Sequence, residues 1–370
     1  MSQISRTLLV SAAAVSLALT AAACGKAGTS SSSSTASGSV SAGAASGKVG
    51  LLLPENQTTR YEKFDRPFFE AKMKTLAPNV TVEYANAAGS AATQAQQVTT
   101  MINAGVKVLV VDPVDAAAIK ASVVAASAKG IKVVSYDRLS QGPADAYVSF
   151  DNIKVGQLQG QGLLNVLGSK ATKSAKIVEI DGDSADPNAG DFKSGFQGVV
   201  KDKVDLAYDA SGLWKADVAA QKAAAAINQL GAKNIAGFYS ANDGMAAGIA
   251  TSMKNAGISN LPLTGQDAQL DAIQRIMVGT QSFTIYKAYQ PEADAAAQLA
   301  VDLMTGNSIS GLTPTTKTNG SGNKVPSDLL TPVLVKADNV KDTVVKDNLY
   351  TVAQICTSAY AAGCKANGLS

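Results

Sequence analysis

The sequence predicts an α/β protein of two doubly wound parallel-sheet lobes joined by a multi-strand hinge. Three observations carry this expectation. From residue 48 onward, short β-rich runs alternate with longer helical patterns, and repeated βα units imply parallel sheets covered by helices on both faces. The rhythm runs to about residue 150 and then restarts. The 370 residues, 46% hydrophobic and 16% charged, suffice for two domains of ordinary size and suit a well-buried chain better than a disordered one.

In the first half, strands are expected at 49–54, 80–84, 106–111, 131–136 and 147–150, with helices at 61–76, 91–104 and 116–129. Pro67 falls in the first turn of its helix, where a missing N–H costs no hydrogen bond. Within 91–104, Ala95, Val98, Met101 and Ile102 share one face at helical spacing. In the second half, strands near 177–180, 204–208, 235–239, 261–264 and 282–286 alternate with helices near 153–167, 189–201, 216–230, 244–256 and 269–278. A helix at 292–304, a Gly/Asn-rich loop at 318–323 and an apolar run at 329–335 remain as segments able to cross between lobes. The expected division is 48–151 plus about 288–325 for the N-terminal lobe, 152–287 plus about 326–347 for the C-terminal lobe, and 348–370 for a tail.

The N-terminus reads as a targeting segment. Arg6 precedes an apolar run over 8–23, short of the roughly 20 residues that a comfortable membrane span needs. It ends in Ala21-Ala22-Ala23-Cys24, a small-residue cleavage site directly before a cysteine. This resembles a bacterial lipoprotein signal, with Ala21 where that pattern prefers Leu. It implies that 1–23 is removed and that lipidated Cys24 anchors the chain to the outer face of the cell membrane. Residues 24–47 are nearly all Gly, Ala, Ser and Thr, a flexible tether. In an exported chain, Cys356 and Cys364 are expected to pair as a disulfide stapling the tail. Two thiols without histidines fall short of a four-ligand metal site.

Other classes are excluded by what is missing. There is no histidine, which removes His-based triads and His-ligated metals. The 32 basic and 29 acidic residues form no Lys/Arg block, so no nucleic-acid footprint is expected. Asp181-x-Asp183 hints at a calcium loop, but Asp186 stands where the loop needs Gly and Phe192 where it needs Glu. Gly156, Gly160 and Gly162 lie inside a helix at the wrong spacing for a dinucleotide fingerprint. Neither a metal nor a cofactor is expected.

In open α/β sheets, ligands sit beyond the carboxyl ends of the strands. Residues following the strands are therefore the candidates: Arg60 and Tyr61, Asp137 and Arg138, Asp186 and Asn188, Trp214, Asn242 and Asp243, Gln266 and Asp267, and Lys287. Carboxylates, amides and guanidinium groups supply paired donors and acceptors for vicinal hydroxyls, and the aromatic faces suit the apolar side of a sugar ring. Asp137, Asp186 and Asp267 stand against Arg60, Arg138 and Lys287. That three-to-three balance fits a neutral polyol better than a phosphate or a cation.

The same residues resemble the periplasmic sugar-binding proteins of the ribose type, and within them the xylose-binding branch. The likeness covers about 48–347 and rests on 131–138 (Ile-Lys-Val-Val-Ser-Tyr-Asp-Arg), 148–156 (Val-Ser-Phe-Asp-Asn-Ile-Lys-Val-Gly), Ser-Ala-Asn-Asp at 240–243, Gly-Gln-Asp-Ala at 265–268, Gly-Thr-Gln at 279–281 with Tyr286-Lys287, and Val-Pro-Ser-Asp-Leu-Leu-Thr-Pro at 325–332. Each is weak alone; in this order they are specific. The resemblance implies a periplasmic-binding-protein-like fold, a sugar pocket built from ten of the residues above (all but Asp243 and Gln266), and a monomer that closes on a monosaccharide, D-xylose first, for the permease of an ABC importer. Tyr61 stands where the xylose binders carry Trp, Phe64 adds one residue nearby, and the tail after Asp347 lies outside the likeness. Other readings are a glycosidase on a similar frame, which needs two carboxyls flanking one bond, a repressor, which needs a helix-turn-helix at the N-terminus, and a sugar sensor for a chemoreceptor or kinase.

Overall fold

The computed structural model describes residues 45–369; the expected signal segment, Cys24 and the expected tether up to residue 44 lie outside them. The first half builds β1 (Ser46–Leu53), α1 (Arg66–Leu76), β2 (Asn79–Asn86), α2 (Ala91–Asn103), β3 (Val108–Val111), α3 (Lys120–Ala128), β4 (Lys132–Tyr136) and β5 (Ala146–Phe150). The second builds α4 (Asn152–Leu167), β6 (Lys176–Asp181), α5 (Pro187–Val200), β7 (Asp205–Ser211), α6 (Ala216–Leu230), β8 (Ile235–Ser240), α7 (Asp243–Asn255), α8 (Leu270–Met277) and β9 (Thr284–Tyr286). Then follow α9 (Tyr289–Thr305), β10 (Thr315–Thr318), β11 (Lys324–Leu330), β12 (Val333–Val335), α10 (Val352–Ile355) and α11 (Ala361–Ala366).

The first lobe is a seven-stranded sheet in the order β10-β11-β5-β4-β3-β1-β2, parallel except at β10. Its interior strand β3, Val-Leu-Val-Val, is buried along its whole length, as a strand covered on both faces requires. One face packs on α1 and α9, the other on α2 and α3. The second lobe holds β7-β6-β8 in parallel and the antiparallel pair β9-β12. Here α4 and α5 approach so closely that a Cβ on Gly156 would lie 2.0 Å from the Phe192 carbonyl oxygen.

Several boundaries differ from expectation, each for a backbone reason. Ser46 and Gly47 belong to β1, where they pair with Asn79 and Val80; backbone pairing needs no apolar side chain. Residues 116–119 form turns instead of helix, because Asp115 accepts from the Ala117 and Ala118 amides. Segment 261–264 lies between β8 and β9 with only an isolated bridge, Phe238 to Leu263. Pro262 has no N–H to give, and the Thr264 hydroxyl takes the Ser240 amide that a ladder would have used. The run 329–335 divides at Thr331-Pro332: β11 pairs with β5 in the first lobe and β12 with β9 in the second. Residues 326–330, assigned by sequence to the C-terminal lobe, therefore belong to the first sheet.

The chain passes between sheets at β5–α4, β9–α9 and β11–β12, and the Asp151 amide ties two of these crossings by donating to the Leu330 carbonyl at 2.9 Å. Beyond β12 the tail packs on α8, with Val340, Val344 and Ile355 against Ile273, Ile276 and Met277, and Cys356 and Cys364 are joined in a disulfide. No helix among the described residues is long and apolar enough to cross a membrane.

Candidate functional site

The carboxyl ends of both sheets face one another across a small, narrow cavity, beyond the strand ends where ligands of open α/β sheets sit. All ten residues of the expected pocket line it, together with Thr58, Phe192 and Gln266. The lobes already touch around it. Asn188 Nδ2 donates to the Asp137 carbonyl at 3.0 Å, Arg138 Nε meets Asp186 at 2.9 Å, and the Ala116 amide donates to the Ala185 carbonyl at 3.1 Å.

The first-lobe wall is a set of interlocked charges. A wide π-helical turn over Tyr61–Asp65 follows β1 and buries Tyr61, Phe64 and Asp65. Arg60, just before it, is 2% exposed. Its guanidinium meets Asp65 at 2.6 and 2.9 Å, Glu292 at 2.5 Å and Asp137 at 3.1 Å. Tyr136 donates its hydroxyl to Asp65 from below. Asp137 has φ 52°, a left-handed conformation that Asp tolerates better than most residues. Its backbone is pinned there: its amide donates to the Val148 carbonyl at 2.9 Å, and its carbonyl accepts from Tyr147 and Ser149 hydroxyls at 3.0 and 2.7 Å. Arg138 donates to the Tyr61 hydroxyl at 3.1 Å and to the Pro113 carbonyl at 3.2 Å, with Asp112 at 3.6 Å behind it.

This wall alters the charge count read from sequence. Three cations, Arg60, Arg138 and Lys287, meet six acids: Asp137, Asp186 and Asp267 at the cavity, and Asp65, Asp112 and Glu292 behind it. Burial pushes Glu292 up to about 8 and raises Asp112 well above the carboxylate range, although Arg60 and Arg138 oppose it. Proton uptake thus offsets part of the acidic excess near neutral pH. Burial lifts Asp186 to about 6 against the pull of Arg138. At Asp137 burial is outweighed by Arg60, Lys287 and Arg138, which together hold the carboxyl at about 2.

The second-lobe wall is built from helix starts and tight turns. Asp186 caps α5 by accepting from the Asn188 amide at 2.8 Å, and Asn242 caps α7 by accepting from the Met245 amide at 2.9 Å. Leu213 and Trp214 both have positive φ, 53° and 59°. The turn brings the indole over Gly182, where a Cβ would lie 2.0 Å from the ring, and edge-on to Phe192 at 6.4 Å. Lys287 pairs with Asp267 at 3.2 Å and lies 3.9 Å from Asp137. Two buried polar atoms of this wall, Trp214 Nε1 and Gln266 Oε1, have no protein hydrogen-bond partner. One is a donor and the other an acceptor, and buried groups of this kind call for a partner.

The residues that sequence reasoning missed differ in how visible they were. Phe192 lies one helical turn beyond Asn188, on the same face. Gln266 stands in the strand-end set but outside the pocket that the resemblance implies, and Asp112 directly follows β3, so the strand-end rule applied evenly would have included it. Glu292 carried no signal, because it lies inside α9, 232 residues from Arg60. Asp181 pairs with Lys193 and Asp183 caps the Ala185 amide; neither lines the cavity.

A family model described as a periplasmic binding protein domain matches residues 49–308. The D-xylose-binding periplasmic protein of Escherichia coli (strain K12) is 35% identical over 315 residues, covering 83% of this chain and 92% of its own. The multiple sugar-binding periplasmic receptor ChvE of Rhizobium radiobacter is 33% identical over 285 residues, covering 71% and 80%. A solved ABC transporter solute binding protein from Clostridium phytofermentans, with bound β-D-glucose, has a TM-score of 0.76 at 26% identity and covers 83% of this chain and 99% of its own. With two sheets facing a polar cavity across three crossings, and a family match over most of its length, the chain belongs to the periplasmic binding proteins.

Proposed function

We propose that the protein captures one monosaccharide between its lobes and delivers it to the permease of an ABC importer, with D-xylose as the first candidate. The observation that carries this reading is the cavity itself: small, lined by planar charged and amide groups from both lobes, and bordered by an indole and a phenyl ring. Such a site bridges vicinal hydroxyls by charge-assisted hydrogen bonds and covers the ring's apolar face. Binding that touches both walls favours the closed arrangement, which presents a joined surface to the permease. The names of the relatives at 35% and 33% identity support xylose. The β-D-glucose bound by the solved neighbour supports a hexose as the next candidate, and the multiple sugar-binding relatives support testing several sugars. Tyr61 in place of Trp is the residue on which we expect that choice to turn.

The protein works in this reading as a monomer held outside the cell by lipid on Cys24, with no metal or cofactor. The cavity carboxylates are paired to Arg or Lys, an arrangement for holding hydroxyls rather than for cleaving a glycosidic bond. The receptor relative supports a second reading, in which the closed form signals sugar to a membrane sensor.

The test is a fluorescence titration of the mature chain with D-xylose, D-ribose, L-arabinose, D-glucose and D-galactose. Trp214 is the only tryptophan, so a sugar in the cavity changes its emission directly. Saturation by xylose in the micromolar range or below supports the assignment. Saturation by another sugar corrects the ligand and keeps the mechanism. No response to any of them, by fluorescence or calorimetry, removes the sugar reading. Mass spectrometry of the mature N-terminus tests the anchor, and an unmodified Cys24 overturns it.

A further inference from the structure

Five of the six apolar clusters among the described residues lie within one lobe, and one spans both. The spanning cluster joins Phe64 and Tyr289 of the first lobe to Ile273 and Met277 of α8 and to Tyr350 and Ile355 of the tail. The tail is fastened to the second lobe. Gln274 Nε2 donates to the Gln354 carbonyl at 3.0 Å, Asn367 Nδ2 donates to the Met277 carbonyl at 3.2 Å, and Tyr350 packs in one cluster with Ile273 and Met277 of α8. The Cys356–Cys364 disulfide closes this segment on itself.

Its other side grips the first lobe. The Tyr350 ring stands edge-on to Phe64 at 5.9 Å, and the Lys63 ammonium lies 5.1 Å from the centroids of both rings. Phe64 stacks on Tyr289 at 5.4 Å. Tyr289 in turn lies 4.7 Å under the Arg60 guanidinium and donates its hydroxyl to the Asp267 carbonyl. A continuous aromatic column thus runs from the tail to one cavity residue of each lobe. The π-helical turn makes the column possible, because it turns Phe64 inward within the same five residues that bury Tyr61 and Asp65.

We infer that the C-terminal tail is a strap that holds the lobes in the closed arrangement, with Tyr350 as a positioning residue for Arg60 and Asp267. Opening about the three crossings moves Phe64 away from a Tyr350 fixed to α8, so the contact biases the closed state. A ligand that needs that state binds more tightly in proportion to its population. The affinity arm of the test rests on the sugar reading; the shape arm does not.

The experiment compares the mature full chain with Tyr350→Ala and Tyr350→Phe, by X-ray scattering without sugar and by stopped-flow fluorescence with D-xylose and D-glucose. Tyr350→Ala is expected to enlarge the radius of gyration without sugar. It should also weaken binding about 2- to 10-fold, the range of one aromatic pair, through faster dissociation. Tyr350→Phe, which keeps the ring, should retain both properties. Should Tyr350→Ala fail to fold, exposed Lys63→Ala at the same contact is expected to shift both readouts in the same direction by less. A folded Tyr350→Ala with wild-type dimensions and rates overturns the strap, even if it melts earlier. If wild type binds neither sugar, the sugar reading falls and scattering still decides the strap.

Discussion

The two walls of the cavity solve the same problem by different means. The first-lobe wall is ionic and over-determined: Arg60 alone meets three carboxylates, and the Asp137 backbone is fixed at three points within its own lobe. The second-lobe wall is drawn from helix caps, a two-residue left-handed turn and an indole resting on a glycine. Its Trp214 and Gln266 keep polar atoms without a protein partner. Ion pairs hold the first wall in shape, although some of its buried atoms, such as Asp112 Oδ2 and Glu292 Oε1, also lack a hydrogen bond. A wall with unspent donors and acceptors gains most from a ligand. If a sugar binds between these walls, the contrast predicts that the first orients it and the second selects it.

Arg60→Ala is the severest way to break the contrast. It takes the buried cation from Asp65 and leaves Asp137 to Lys287 and Arg138 alone, at a cost of about 3–5 kcal/mol. Urea unfolding should show that loss and calorimetry should show no binding; a variant as stable as wild type would mean the wall is not locked by charge. Trp214→Ala should act oppositely, weakening sugar binding about tenfold or more while stability in the same unfolding assay changes far less. Equal losses in both would erase the distinction between walls.

Glu292 sharpens the comparison through pH. Burial raises its folded pKa to about 8, above the roughly 4.3 of an unfolded chain. The folded state then holds the proton more tightly, so stability falls as pH rises from about 5 to 8. Glu292→Gln should flatten the dependence of Tm on pH over that window, and an unchanged slope would locate the titration elsewhere. Asp137 has the reverse sign: held at about 2, it contributes stability above about pH 4 that is lost as pH falls toward 2. The smallest effect is expected for Gln266→Ala. Loss of one neutral hydrogen bond costs about 1 kcal/mol, or about fivefold in affinity. That loss should differ between xylose and glucose, and a uniform loss across sugars would argue against selection by this wall.

Much of this protein follows from its sequence by itself. Alternating β and α periods determine two parallel-sheet lobes, because a strand buried on both faces must be apolar throughout, as Val108–Val111 is. The rule that ligands sit beyond strand ends, narrowed by family resemblance, led to ten residues that meet in one cavity. What the sequence could not display were relations between distant segments. The Glu292–Arg60 pair joins residues 232 apart. The lone bridge at Leu263 depends on what Pro262 and Thr264 do opposite β8. The run at 329–335 is divided between sheets by the partners available, β5 and β9, and not by its own composition. The tail, which carries no signal beyond two cysteines, acquires its place only where Tyr350 meets Phe64. Periodicity and capping are written within a few residues; charge pairing, strand partnership and contact across a hinge exist only once the chain has closed on itself.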